Sequence, residues 1–175
     1  MQAPSRFVEE IVENAHWALA PCKALDVAAG KGRNALFLAA RGFQVTAIDI
    51  SAVGLEEGRK RARDSSLSVE WRQADLENFQ LAGAAYDLVV NINYLQRSLI
   101  PQIKSAVRPC GHVIFETYLI DQQAAGPVKN PDYLLHHNEL LEQFRDYRVL
   151  LYREGKFADG SEPSFRAGIL ARRIA

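Results

Sequence analysis

From residue 23 to residue 119 the chain alternates strand-like and helix-like segments, and this rhythm constrains its fold more than any single motif. KALDVAA (23–29) reads as a buried strand, and RNALFLAARG (33–42) as a helix closed by Gly42. FQVTAIDI (43–50) is a second strand, followed by SAVGLEEGRKRARD (51–64), a helix with Ser51 as its cap. SVEWRQAD (68–75) alternates in the manner of an edge strand, and YDLVVNI (86–92) is a fourth strand. SLIPQIKSAVRP (98–109) reads as a helix with Pro101 in its first turn, and GHVIFETYL (111–119) as a fifth strand. Parallel strands need crossovers, so helices cover both faces of the sheet, and right-handed connections limit the topology.

The rhythm then changes. Residues 119–137 are long for a connection and contain Pro and Gly, which favours a lid or substrate-selecting segment. NELLEQF (138–144) is a short helix with Asn138 as its cap. YRVLLYREG and SFRAGILARRI, joined by the turn-rich KFADGSEP (156–163), predict an antiparallel pair. Ahead of β-type sequence, residues 6–19 place Phe7, Val8, Ile11, Val12, Ala15 and Leu19 at helical spacing, with Ser5 as cap and Pro21 as the stop.

A chain of 175 residues with 48% hydrophobic and 24% charged residues is enough for one globular domain. Lys and Arg balance Asp and Glu at 21 each, which argues against nucleic-acid partners. The basic run Arg59-Lys60-Arg61-Ala62-Arg63 falls in a predicted helix and reads as a solvated face. Cys22 and Cys110 have neither metal spacing nor a disulfide framework, and the simple reading is free thiols in a reducing cytoplasm. No segment has signal-peptide character or the ~18 apolar residues of a membrane span, so neither a membrane nor a metal is expected.

Gly30-Lys31-Gly32-Arg33-Asn34-Ala35 fits a G-x-G-x-x-A loop between strand and helix. Such a loop lets backbone approach a ligand, and the helix start suits either a pyrophosphate or a carboxylate. Asp49, ending the second strand, can accept hydrogen bonds from ribose hydroxyls. Both a dinucleotide and another adenosine cofactor survive this far. Asp26 tips the balance. A carboxylate beside the loop repels a pyrophosphate, at about 4 kcal/mol for each like-charge pair ~4 Å apart in an effective dielectric of ~20. It attracts a sulfonium carrying a free ammonium. The ~60 residues after the fifth strand also leave little room for the extra structure of a dehydrogenase.

LDVAAGKGRNALFLAARGFQVTAIDIS, QADLENF and YDLVVNINYLQRSLIPQIKSAVRPCGHVIFETY resemble the motifs of class I S-adenosylmethionine-dependent methyltransferases. More narrowly, GKGRNALFLA and NYLQRSLIP…FETY are similar to small bacterial methyltransferases related to the tellurite-resistance family. The resemblance implies a doubly wound, seven-stranded, mostly parallel sheet, with the last strand antiparallel between strands five and six. It implies a single domain over 1–175 that uses S-adenosylmethionine to methylate a metabolite, thiol or oxyanion, as a monomer or homodimer. Gly30 and Gly32 would bring backbone to the methionine part, Asp26 would face its ammonium, directly or through water, and Arg33 and Asn34 would reach its carboxylate. Asp49 would hold the ribose, Ile50 would pack on adenine, Asp75 and Leu76 would meet its polar edge, and Asn91 would lie near the sulfonium. Ala28 and Cys110 stand where many members have Gly; a methyl is small enough at the first, and the second lies in a turn away from the site.

Catalytic residues are not declared by the sequence; Tyr94, Arg97, Tyr118 and His137 are weak candidates on the ligand side, and Tyr133 is a further loop aromatic there. Adjacent His136 and His137 diverge in an extended segment, against a shared metal. Asn91-Ile92-Asn93-Tyr94 lacks both prolines of the motif used for nucleic-acid amino methylation. Pro109-Cys110 precedes strand five, at the amino end of the sheet, and reads as a turn. Two other classes stay open: a non-catalytic cofactor-binding sensor and an NAD-dependent oxidoreductase.

Overall fold

The computed structural model describes residues 2–17, 19–126, 128, 130–158 and 163–175. Helix α1 (Arg6–Glu13) precedes β1 (Lys23–Val27), α2 (Arg33–Ala39), β2 (Gln44–Asp49), α3 (Ala52–Asp64) and β3 (Val69–Gln73). Then come β4 (Tyr86–Ile92), α4 (Ile100–Ala106), β5 (Val107–Tyr118), α5 (Gln122–Ala125), α6 (Glu139–Gln143), β6 (Tyr147–Phe157) and β7 (Ser164–Arg173). The sheet order is β3-β2-β1-β4-β5-β7-β6, and β7 alone runs antiparallel to its neighbours. From β1 the chain winds one way to β2 and β3, then the other way to β4 and β5. The switch point is therefore the gap between β1 and β4, where ligands of such sheets bind at the carboxyl ends.

Strand β4 is buried on both faces, and its alternation divides two cores. Leu88 and Val90 pack with Phe7, Phe37 and Leu38 on the side of α1 and α2. Val89 packs with Leu99, Ile103 and Phe115 on the side of α4. Burial of Phe7, Val8 and Ile11 stabilises α1, since each such side chain contributes ~1.5–3 kcal/mol and eight residues make no stable helix alone.

Turn chemistry accounts for most boundaries. Gly42, at φ +84°, closes α2 with the Phe43 N–H on the Leu38 carbonyl and the Gly42 N–H on the Ala39 carbonyl. Ser51 caps α3 by accepting from the Gly54 N–H at 3.0 Å. The first helix, however, ends at Glu13 rather than near Leu19. The Asn14 side chain accepts from the His16 N–H at 2.9 Å, and this local turn outcompetes the next helical hydrogen bond. Ser5 holds the N-cap position without a side-chain cap; its N–H donates to Asn34 Oδ1 at 2.8 Å instead. Asn138 is no side-chain cap either, because its backbone is left-handed at φ +62°. Glu139 reaches back to the His136 N–H at 2.8 Å in its place. The predicted fourth helix stops at Ala106, and β5 starts at Val107, which pairs with Tyr86 before the register shifts.

Ala28 (φ +51°) and Cys110 (φ +65°) both adopt the left-handed conformation that favours glycine, at a cost of roughly 1–2 kcal/mol each. The arginines of the basic run on α3 are paired: Arg59 and Arg63 with Glu56, Arg61 with Glu57. Arg153 joins distant elements, stacking 4.4 Å from the Phe7 ring and meeting buried Glu116 at 2.6 Å.

The segment after β5 is fastened at its stem. Leu119 bridges Leu135, and Leu134 and Leu135 are fully buried. Arg97 donates to both oxygens of Glu139 at 2.8 and 2.9 Å and to the carbonyls of Asp132 and Leu134 at 2.8 Å. Arg97 is thus a clamp on this segment. Arg97→Ala is expected to cost about 1.5–3 kcal/mol, the range for hydrogen bonds to charged groups, and to speed amide exchange first at 132–139. Hydrogen exchange read by mass spectrometry checks it. Residues 127 and 129 of this segment, and 159–162 of the predicted turn between β6 and β7, lie outside the described residues.

Candidate cofactor and acceptor site

A cavity of about 560 Å³ opens at the switch point, walled by the ends of β1, β2 and β4 and by the turn after β3. Its floor is the glycine loop. Gly30 sits at φ +56°, and a Cβ built there meets no atom within 4 Å, so the backbone presents open space to a ligand. Asp49 shapes this floor from the neighbouring strand. Its Oδ2 accepts from the Gly30 N–H at 2.7 Å and its Oδ1 from the Ser51 N–H at 2.8 Å. A carboxylate has about four acceptor positions, so two remain for ligand hydroxyls.

Of the predicted cofactor residues, Ala28, Gly30, Arg33, Asn34, Asp49, Ile50, Asp75 and Leu76 line the cavity. Ile50 is 63% exposed, an apolar side chain that a flat ring would cover. Asp75 is held by the Glu77 N–H at 3.0 Å and by Asn78 Nδ2 at 2.7 Å. Asn34 lines the wall while its Oδ1 is engaged by Ser5.

Three predicted residues do not reach the cavity. Asp26 is buried behind the loop, and its Oδ2 accepts from the Ala35 N–H at 3.0 Å, pinning the start of α2. Gly32 serves packing: a Cβ there would stand 2.3 Å from Trp71 Cη2. Asn91 is fully buried, its Nδ2 donating to the Tyr94 carbonyl at 2.8 Å while its Oδ1 has no partner among the described residues. The sequence reading also missed Gln2, Ala29, Lys31, Glu77, Ile92 and Asn93 in the wall. Proximity to motif residues is the one signal that could have flagged most of them.

Burial pushes the Asp26 carboxyl up to about 7, against the opposing pull of the Ala35 N–H. A folded pKa above 3.8 means that folding favours the neutral acid. That contribution is fully present below about pH 4 and is lost as pH rises toward 7. Between pH 5 and pH 8 the wild type should therefore lose about 2 kcal/mol more stability than Asp26→Asn. Urea unfolding of both proteins at the two pH values measures the difference.

A second cavity of about 450 Å³ adjoins the first and shares Glu77, Asn93 and Tyr94 with it. Tyr118, from the end of β5, and Tyr133 line it too. Tyr94 donates its phenol proton to Gln96 Oε1 at 2.6 Å. Burial, then the Glu77, Asp75 and Asp49 carboxylates, raise its pKa, so the phenol stays protonated. Tyr118 lies under the Arg166 guanidinium, 4.3 Å from the ring centre. Arg97 and His137 line neither cavity. Arg97 is spent on the clamp, and His137 Nε2 pairs with Asp121 Oδ2 at 2.6 Å on the exposed segment, which raises the imidazole pKa.

A family model described as a methyltransferase domain matches residues 24–114, from β1 into β5. The chain belongs to this methyltransferase domain family. Its members of the class I fold use S-adenosylmethionine, and the residues around the cavity fit that group: open space over Gly30, spare acceptors on Asp49 and an uncovered apolar side chain at Ile50. The chain is 28% identical over 151 residues to hemagglutinin 1 of Eikenella corrodens, covering 82% of this chain and 49% of that protein. It is 26% identical over 144 residues to the probable S-adenosyl-L-methionine-dependent methyltransferase TehB of Haemophilus influenzae, covering 78% and 49%. The crystal structure of TehB from that organism superposes with a TM-score of 0.77 at 25% identity, over 94% of this chain and 62% of that one. The methyltransferase domain described here thus spans about half the length of the curated relatives it matches.

Proposed function

We propose that the chain is a single-domain S-adenosylmethionine-dependent methyltransferase acting on a small molecule. The observation that carries this reading is the Asp49 carboxylate, fixed by two backbone N–H groups with half its acceptor positions free, over a glycine floor at the switch point. When bound, S-adenosylmethionine supplies an electrophilic methyl group. Asp49 accepts the ribose hydroxyls, Ile50 covers adenine, and Asp75 with the Leu76 N–H meets its polar edge. Arg33 lines the wall and suits the methionine carboxylate. Asp26 acts indirectly, by holding the loop against α2.

The protein's part in the reaction is to orient the acceptor and exclude water, which accounts for ~7–11 kcal/mol of barrier in favourable cases. Tyr94 stands between the two cavities as a neutral phenol and suits a hydrogen-bond donor rather than a base. TehB is named for S-adenosyl-L-methionine-dependent methyl transfer, which supports the same class here.

Calorimetry with S-adenosylhomocysteine, S-adenosylmethionine and NAD tests the reading. Binding of the adenosyl pair without NAD is expected. Binding of NAD alone would overturn it, and adenosyl binding without methylation of any thiol, amine, phenol or oxyanion would make the chain a sensor.

A further inference from the structure

The second cavity has a definite electrostatic sign. Glu77 is its one ionisable side chain other than the tyrosines, and no Lys, Arg or His side chain lines it among the described residues. The adjoining cavity holds Asp49 and Asp75, whose charges act on Tyr94, and two cations, Arg33 and Lys31, the latter paired with Glu57 at 2.9 Å. Two guanidiniums stand behind the wall: Arg97, bound to Glu139, and Arg166, which lies against the Tyr118 ring. Arg166 is held by Asn93 Oδ1 at 2.6 Å and stands 3.6 Å from buried Glu116. It shares that carboxylate with Arg153, which holds it at 2.6 Å, and it is turned to the Tyr118 ring rather than forming part of the cavity wall.

Tyr94, Tyr118 and Tyr133 give the cavity aromatic walls. Rings present negative faces, and a carboxylate among them adds a formal charge of the same sign. An anionic acceptor would enter against both. A cation on an apolar body gains from both, through the ring faces and through the carboxylate. Asn91, whose Nδ2 donates to the Tyr94 carbonyl, has a buried Oδ1 without a donor among the described residues.

We propose that this cavity takes an organic amine, bound as its ammonium on an aromatic or aliphatic body, with Glu77 and the tyrosine rings as the recognition elements. This rests on the methyltransferase reading and names its acceptor class. The bound ammonium gives up one proton to solvent before its nitrogen lone pair is free to react. Glu77 is exposed, so that proton has a path out. The class departs from the thiols and oxyanions that the sequence alone suggested.

The test is a competition of probes on the protein already saturated with S-adenosylhomocysteine. Benzylamine, benzoate and sodium tellurite are titrated by calorimetry at low salt. Benzylamine is expected to bind about tenfold more tightly than benzoate, and Glu77→Gln, brought to saturation with S-adenosylhomocysteine in the same way, to erase that preference. Tighter binding of benzoate or tellurite, absence of benzylamine binding, or a preference that survives Glu77→Gln would overturn the proposal. A wild-type protein that does not take up S-adenosylhomocysteine would overturn the cofactor assignment instead, a failure read in a separate titration.

Discussion

Gly32→Ala should lower the unfolding free energy by about 2–3 kcal/mol, although Gly32 touches no ligand wall. Two effects combine. The residue is left-handed at φ +72°, which costs a non-glycine residue roughly 1–2 kcal/mol. A methyl would also stand 2.3 Å from Trp71 Cη2, so the indole must leave its seat. That ring is wedged on its other side, because a Cβ on Gly58 would stand 2.4 Å from the same atom. Gly58→Ala supplies a diagnostic sign. In a free helix interior, Ala is about 1 kcal/mol better than Gly, whereas here it should destabilise. A Gly32→Ala, Trp71→Leu pair should lose at least about 1 kcal/mol less than the sum of the single variants. Urea unfolding measures the four variants against the wild type. Additive losses would mean that the indole is no obstacle. Gly30→Ala makes the contrast: at φ +56° it carries the same backbone strain of roughly 1–2 kcal/mol, but its methyl meets no ring and enters the cavity, so its stability loss should be smaller than that of Gly32→Ala while cofactor affinity falls.

The two glycines look alike in the sequence, and that explains where the sequence was legible. The fold came through because it rests on local signals: hydrophobic period, the Ser51 cap and the Gly42 stop. Most of the residues proposed for the cofactor line one cavity, because a strand–glycine–helix crossover places its own residues at the switch point. What a residue does within that wall depends on partners far along the chain. Nothing near Gly32 announces that an indole from β3 occupies the space above it. Asp26 was expected to face the ligand, yet the free N–H of Ala35 at the helix start draws it inward. Arg97 was a weak candidate for the chemistry, and it holds Glu139 and two carbonyls across the chain. The first helix was extended too far because apolar spacing continues past Asn14, whose side chain ends it.

Asp49→Ala should weaken S-adenosylhomocysteine binding by about 1.5–3 kcal/mol, or roughly 10–150-fold, if its free acceptors take charge-assisted bonds from the ribose. The same side chain also fixes Gly30 and Ser51, so its loss loosens the glycine floor and adds to the effect. Asp49→Asn separates this site from one where only shape matters. An amide has one acceptor oxygen, and here each carboxylate oxygen faces an N–H donor. Its NH2 group must therefore confront either the Gly30 or the Ser51 N–H, whichever way the amide turns. Asn should accordingly behave nearly as badly as Ala despite its matching size. Calorimetry gives the affinities, and circular dichroism confirms that the variants fold. If both bind like the wild type, Asp49 contributes loop geometry alone, and the ribose must be held by other groups in the wall.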